Sequence, residues 1–291
     1  MIIANPIYDV VFKYLLEDIE IARELLTAIL GVNILGVQVK PQETLVTGES
    51  GEIKIFHLDF KALIDLGEGK QKTVLIELQK AKKSHDILRF RKYLGENYRK
   101  EEVRKNSTGE IESYGLEIVT IYLLGFKLEG AEVAALKIGR KYENAITGED
   151  VVASNDFITH LTHESFTIQI PRLENAQRNQ LEEVLEVFSQ DNIGADLHVL
   201  NFKKESKNPL VKKMVKRLSK AASNEAIKKG MDAEDSIERL INREADEKLK
   251  AQALLYEEKL QEKDEKLQES EREKEKLRKQ VEELMKQIKG K

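Results

Sequence analysis

Asp59 and Glu77 are the two residues of this 291-residue chain whose types and spacing bear most directly on chemistry. They stand at equal distances from Gly67-Glu68-Gly69, which reads as a hairpin turn, so antiparallel pairing of the flanking strands sets them opposite each other. With the turn centred on Glu68, the same register predicts Phe60 beside Ile76 and His57 beside Gln79. Directly opposed strand residues have Cβ atoms roughly 4.5 to 5.5 Å apart, and like charges so placed repel. A hard divalent cation such as Mg²⁺ relieves that repulsion, because it prefers oxygen ligands and needs only one or two carboxylates from the protein. The pair reads either as a metal site or as two solvated residues on the wet face of an antiparallel sheet.

The elements that position the pair follow from hydrophobic periodicity. Residues 53 to 66 alternate, with Phe56, Leu58, Phe60, Ala62, Ile64 and Leu66 on one face and Ile55, His57, Asp59 and Lys61 on the other; Val74, Ile76 and Leu78 share a face, and Leu75, Glu77 and Gln79 share its opposite. Ahead of this hairpin, Val11, Phe12, Leu15, Leu16, Ile19, Ala22, Leu25, Leu26 and Ile29 recur at helical spacing and Gly31 marks a stop, predicting one helix or two short ones. A strand is expected near 42 to 47. After the hairpin a helix is expected from about Ser84, as N-cap, to Lys105, with Ile87, Phe90, Leu94 and Tyr98 as its core stripe. Arg89 and Tyr93 lie four apart off that stripe, facing either a substrate or solvent. Residues 117 to 126 and 165 to 170 read as strands, the second stopped by Pro171, and a further helix is expected over about 173 to 188. Helix, strand, hairpin, helix, strand is the order of an α/β fold with a mixed sheet flanked by helices.

Composition limits the chemistry further. Hydrophobic residues make up 41% and charged residues 34% of the chain, enough for one substantial core plus a solvated segment. The chain has no cysteine, so any metal must sit on carboxylate, imidazole or carbonyl groups. No apolar stretch approaches a bilayer span and no secretory signal opens the chain, so a cytoplasmic protein without a membrane partner is expected. The net charge of −4 argues against wholesale attraction to nucleic acid, but basic runs stand out locally. One covers 80 to 105, including Lys82 and Lys83. The other covers 203 to 220, where Lys212, Lys213, Lys216 and Arg217 cluster, as a solvated helix face or an extension of a DNA path.

From about Ala233 the composition becomes that of a coiled coil. One heptad frame puts Leu249, Tyr256, Leu277 and Leu284 at d and Ala253, Leu260, Leu267, Val281 and Ile288 at a, with Lys263, Ser270 and Lys274 interrupting the seam. Three segments are therefore expected: a catalytic-type domain over 1–202, a basic helical connector over 203–232, and a coiled-coil or solvated helical tail over 233–291 that pairs two copies into a homodimer.

Taken together, LDFKALIDL, then VLIELQK, then a helix reading RFRKYLGENY resembles the PD-(D/E)XK nuclease family transposases, also described as Rpn-like recombination-promoting nucleases. NPIYDVVFKYLL looks like that family's opening helix, IVTIYLLGF like a later core strand and HESFTIQIPRL like its closing strand, so the resemblance covers roughly the first 190 residues. It implies a restriction-endonuclease-like core and DNA cleavage dependent on Mg²⁺, with Mn²⁺ as a substitute, in transposition or recombination. Asp59 matches the family's strand aspartate and Glu77 its second acid, the implied metal ligands. Gln79 stands where the broad superfamily usually has lysine, and Leu58 where it has proline. Gln79 cannot act as a general base, but its amide can orient a water or a phosphate oxygen. Arg89, Tyr93, Lys82 and Lys83 are the implied DNA contacts. The alternative is a nuclease-fold protein that has lost or weakened catalysis and serves as a DNA-binding or protein-interaction module assembled by its coiled coil.

Overall fold

The computed structural model describes residues 1–48, 51–67, 70–81, 87–105, 109–152, 155–173, 179–203 and 206–240, together with 243, 247, 250, 252, 256, 259, 263, 266, 270, 271 and 274–279. The chain forms two units, Met1–Glu234 and Asp235–Lys291.

The first unit opens with β1 (Ile2–Ala4), α1 (Asp9–Leu16) and α2 (Ile19–Leu30), followed by three long strands, β2 (Ile34–Gly48), β3 (Gly51–Gly67) and β4 (Lys70–Ala81). Next come α3 (Ile87–Tyr98), β5 (Glu102–Lys105), β6 (Ile111–Tyr114), β7 (Glu117–Leu124) and β8 (Ala135–Ile138). The described elements close with α4 (Asp156–Leu161), β9 (Glu164–Gln169), α5 (Gln180–Leu185), β10 (Val199–Asn201) and α6 (Pro209–Ala222). Six strands form one sheet in the order β2-β3-β4-β7-β9-β8, while β1 pairs with β10 and β5 with β6. The β4/β7 and β7/β9 neighbours are parallel and the remaining pairs of the large sheet antiparallel. This is the expected α/β fold with a mixed sheet flanked by helices.

The expected opening helix is two helices. Asp18 separates them: its side chain accepts from the backbone N–H of Glu20 and Ile21 and starts α2, and Gly31 ends α2 in the left-handed conformation at φ 67°. Tyr8, at the start of α1, makes no side-chain cap. The backbone N–H groups of Asp9 and Val10 instead donate to the two carboxylate oxygens of Glu234, at 2.8 and 2.7 Å, from more than two hundred residues away.

The sheet divides the unit into two unlike halves. On one face Phe60, Ala62, Val74, Ile76, Ile121, Leu123, Phe166 and Ile168 join Leu25, Leu26, Met214 and Leu218 in a single buried cluster. On the other, Phe90 of α3 stacks on Tyr122 of β7 with ring centroids 5.0 Å apart.

Four expectations change. Glu102–Lys105 is not the end of a helix but a strand paired with Ile111–Tyr114, because α3 ends at Tyr98 and Val103 is β-branched. The buried stripe of α3 is Phe90, the half-buried Leu94 and Asn97, whereas Ile87 and Tyr98 are exposed; three-residue and four-residue steps fit either stripe, and packing against Tyr122 selects this one. Residues 203–232, read as a connector, contain α6, whose Leu210, Val211, Met214, Val215 and Leu218 lie in the core, and a following helical segment that buries Ile227 and Met231. The lysines that made this region look like a connector occupy the opposite side of an amphipathic helix. The helix expected over 173–188 begins at its Asn179 cap as α5 and tightens to a 3-10 turn over Glu186–Phe188; residues 174–178 lie outside the described residues.

In the second unit, residues 235–240 and 274–279 are helical, and the heptad positions Tyr256 and Leu277 are exposed. The other apolar heptad positions, Leu249, Ala253, Leu260, Leu267, Val281, Leu284 and Ile288, lie outside the described residues.

Candidate functional site

The β3/β4 hairpin has the register expected from its sequence: Asp59 pairs with Glu77, Phe60 with Ile76 and Leu58 with Leu78. The ladder keeps step as far as Asp65–Gln71 and then shifts by one residue to Gly67–Lys70. A bulge-like irregularity near the tip thus absorbs the odd residue without disturbing the carboxylate pair. Had the shift lain between Asp65–Gln71 and Asp59–Glu77 instead, Asp59 would have met a different residue across the strand pair.

The pairing extends across the sheet. Glu77 pairs with Thr120 on β7, and Thr120 with Ser165 on β9, so Lys40, Asp59, Glu77, Thr120 and Ser165 occupy one lateral row of five strands. Registered neighbours share a face of a sheet, and the face is the one opposite the main core. Along it the next row is Gln79, Tyr122 and Thr167. Thr120 is fully buried, and its hydroxyl donates to Ser165 Oγ at 2.7 Å. The polar half of the sheet is therefore built as a hydrogen-bonded layer and not as leftover surface.

Two residues from Asp59 on the same strand face, Lys61 places its ammonium 2.9 Å from Glu102 of β5. This is a described cation close along the chain to the carboxylate row, and it is already engaged. At the start of β7, paired with Val74 and so about 10 Å along β4 from Glu77, Glu117 is buried between Arg140, at 2.8 Å, and Lys72. Sequence reasoning missed this cluster: Arg140 is far from Glu117 in the chain, and no spacing signals their meeting. Nearby, Tyr98 Oη and His163 Nδ1 are 2.8 Å apart. Burial holds the Tyr98 phenol above its ordinary range, against the opposing effect of Arg140, while burial and Arg140 together hold His163 below its own, favouring the neutral ring.

Of the residues singled out in the sequence, the register brings Asp59 and Glu77 together, and it puts Gln79 two residues from Glu77 on the same face of β4. The described β3/β4 ladder begins at Leu58–Leu78, one step short of His57 and Gln79. Arg89 and Tyr93 belong to α3, next to the exposed Arg91 and Lys92. Lys82 and Lys83 lie outside the described residues. Among the described residues no group of three or more histidines and carboxylates is placed to hold a metal ion, and no helix is long and apolar enough to cross a membrane.

Carboxylate oxygens are the donor type that a hard divalent cation prefers, and the residues in register with Asp59 and Glu77 on β7 and β9, Thr120 and Ser165, carry oxygen and no soft ligand atoms. No protein family, curated protein or solved structure matches the chain significantly.

Proposed function

We propose that the first unit is a metal-dependent DNA endonuclease of the PD-(D/E)XK type, with Asp59 and Glu77 as metal ligands. The observation that carries the proposal is the Asp59–Glu77 pairing, which sets two like charges directly opposite each other on one strand pair. Lys40, in register with Asp59 on β2, brings one positive charge to the row, and a bound cation would offset the second negative charge. The order of sequence segments resembling the nuclease family supplies the reaction class.

When bound, Mg²⁺ or Mn²⁺ contributes charge neutralisation on the phosphate and a lowered pKa for water. The chain's own residues do the rest. Asp59 and Glu77 hold the cation, and Gln79, two positions along the same strand, orients a water or a phosphate oxygen through its amide. Arg89, Tyr93, Lys82 and Lys83 contact the phosphate backbone, which adds affinity and salt sensitivity without reading sequence. The tail pairs two subunits so that two sites meet one duplex. The soluble location implied by this reaction is the cytoplasm.

Plasmid nicking in Mg²⁺, in Mn²⁺ and in EDTA tests the proposal. The expected result is metal-dependent cleavage that falls by at least about a hundredfold in Asp59→Ala and in Glu77→Ala, since each removes a ligand from the reacting centre. Cleavage indifferent to both substitutions overturns the assignment. Because Gln79 replaces the usual lysine, salt-dependent DNA retention with no cleavage in either metal transfers the protein to the binding-module alternative.

A further inference from the structure

Helix α6 carries basic residues on two adjacent faces, and only one face is satisfied within the protein. Lys213 bonds Asp18 Oδ1 at 3.1 Å and also reaches Glu20. Arg217 donates to the Tyr14 carbonyl at 2.7 Å, lies over the Tyr14 ring and approaches Glu17. These two cations fasten α6 to α1 and α2. Lys212, Lys216 and Lys220 sit one residue round the helix, are exposed, and have no ion-pair partner among the described residues. They line one side of a groove of about 770 Å³, with Lys207 also in its wall and an apolar floor made by the exposed Met1 beside the buried Phe202 and Val215. None of the described residues lining the groove is acidic.

We propose that this groove docks an acidic amphipathic helix of a partner protein, a function separate from the carboxylate row and independent of the nuclease reading. The lysine rail recurs every four residues over about 12 Å, or two helical turns. A partner helix with carboxylates at the same repeat meets each ammonium in turn, while apolar residues beside them cover the floor. A duplex would use the rail and leave the apolar floor wet. An anionic membrane fits less well, because the apolar stripe of α6, Leu210, Met214 and Leu218, faces the core and the apolar lining of the groove lies beside the lysines in a concave surface.

The experiment uses the full chain and fluorescence anisotropy with three probes: a designed helical peptide with leucines on one face flanked by glutamates, a scrambled peptide of the same composition, and a short duplex DNA. Binding of the patterned peptide at least about tenfold tighter than the scramble is expected, lost by about tenfold or more in Lys212→Glu/Lys216→Glu/Lys220→Glu. Since all three lysines are exposed, circular dichroism should show an unchanged fold in the variant. Equal binding of both peptides, or binding unaffected by the triple substitution, overturns the proposal. So does binding of the DNA alone that the substitution abolishes, which assigns the rail to phosphate. Plasmid nicking by the triple variant is read in parallel, so that failure here and failure of the nuclease reading remain distinct.

Discussion

The two faces of the six-stranded sheet are made from the same strands and solve different problems. Phe60, Ile76 and Ile121 are fully buried on one face, where close packing against α2 and α6 is all that is required. On the other, Thr120, Ser165, Thr167 and Gln169 are buried although polar. That burial is tolerable where the polar groups find partners. Thr120 bonds Ser165, and the Gln169 amide accepts from Leu128 N at 2.6 Å while donating to the Ala131 and Val133 carbonyls. The first face depends on apolar character and volume; the second depends on hydrogen-bond partners. A carboxylate pair on the first would be an error, whereas on the second it continues a row of oxygen atoms.

This contrast breaks most readily at the largest effect. Phe60→Ala removes a fully buried ring from the apolar face and should cost about 3–5 kcal/mol in urea unfolding. A cost under about 1 kcal/mol would mean that the face is not closed as described. Thr120→Val keeps the shape but leaves the Ser165 hydroxyl buried without its donor, an expected loss of about 1–3 kcal/mol. The sharper measurement is the double variant Thr120→Val/Ser165→Ala, which removes both partners and should recover part of that loss. Strict additivity of the two single changes would show that the hydroxyls act independently and that the polar layer is not a network.

The same contrast explains what could be read from the chain. The hairpin was legible because alternation and turn position jointly fix register, and both were local; the Asp59–Glu77 pairing follows from them. The opening helical segment was legible from its spacing and the Gly31 stop, with one helix or two left open, and the Asp18 cap makes it two. The polar layer was not, because Thr120 and Ser165 are 45 residues apart and meet only through the parallel β7/β9 pairing. Parallel neighbours are set by crossover connections whose register leaves no short-range mark. The role of α6 was obscured for another reason. Its lysines dominate the composition, yet its apolar residues at 210, 211, 214, 215 and 218 form a core face, and the segment after it returns to cap α1 through Glu234. Composition averaged over a window hides a helix that is half core and half charge.

The smallest effect concerns the helical layer that closes the apolar face. Asp18 starts α2, and burial pushes its carboxyl upward while the Ile21 N–H and the Lys213 ammonium outweigh that push and hold it below the ordinary aspartate range. A carboxyl lowered in the folded state contributes stability that is fully present above the unfolded value of about 3.9 and disappears as pH falls through the folded value. Asp18→Ala should therefore cost about 1 kcal/mol at pH 7, the usual worth of an N-cap, and the difference from the parent should shrink as the pH is lowered from about 4 to 2. Chemical denaturation across that range reads both quantities. A difference that stays constant down to pH 2 would mean that the hydrogen-bonding shape of Asp18, not its charge, secures α2, leaving Lys213 attached to α2 chiefly through Glu20.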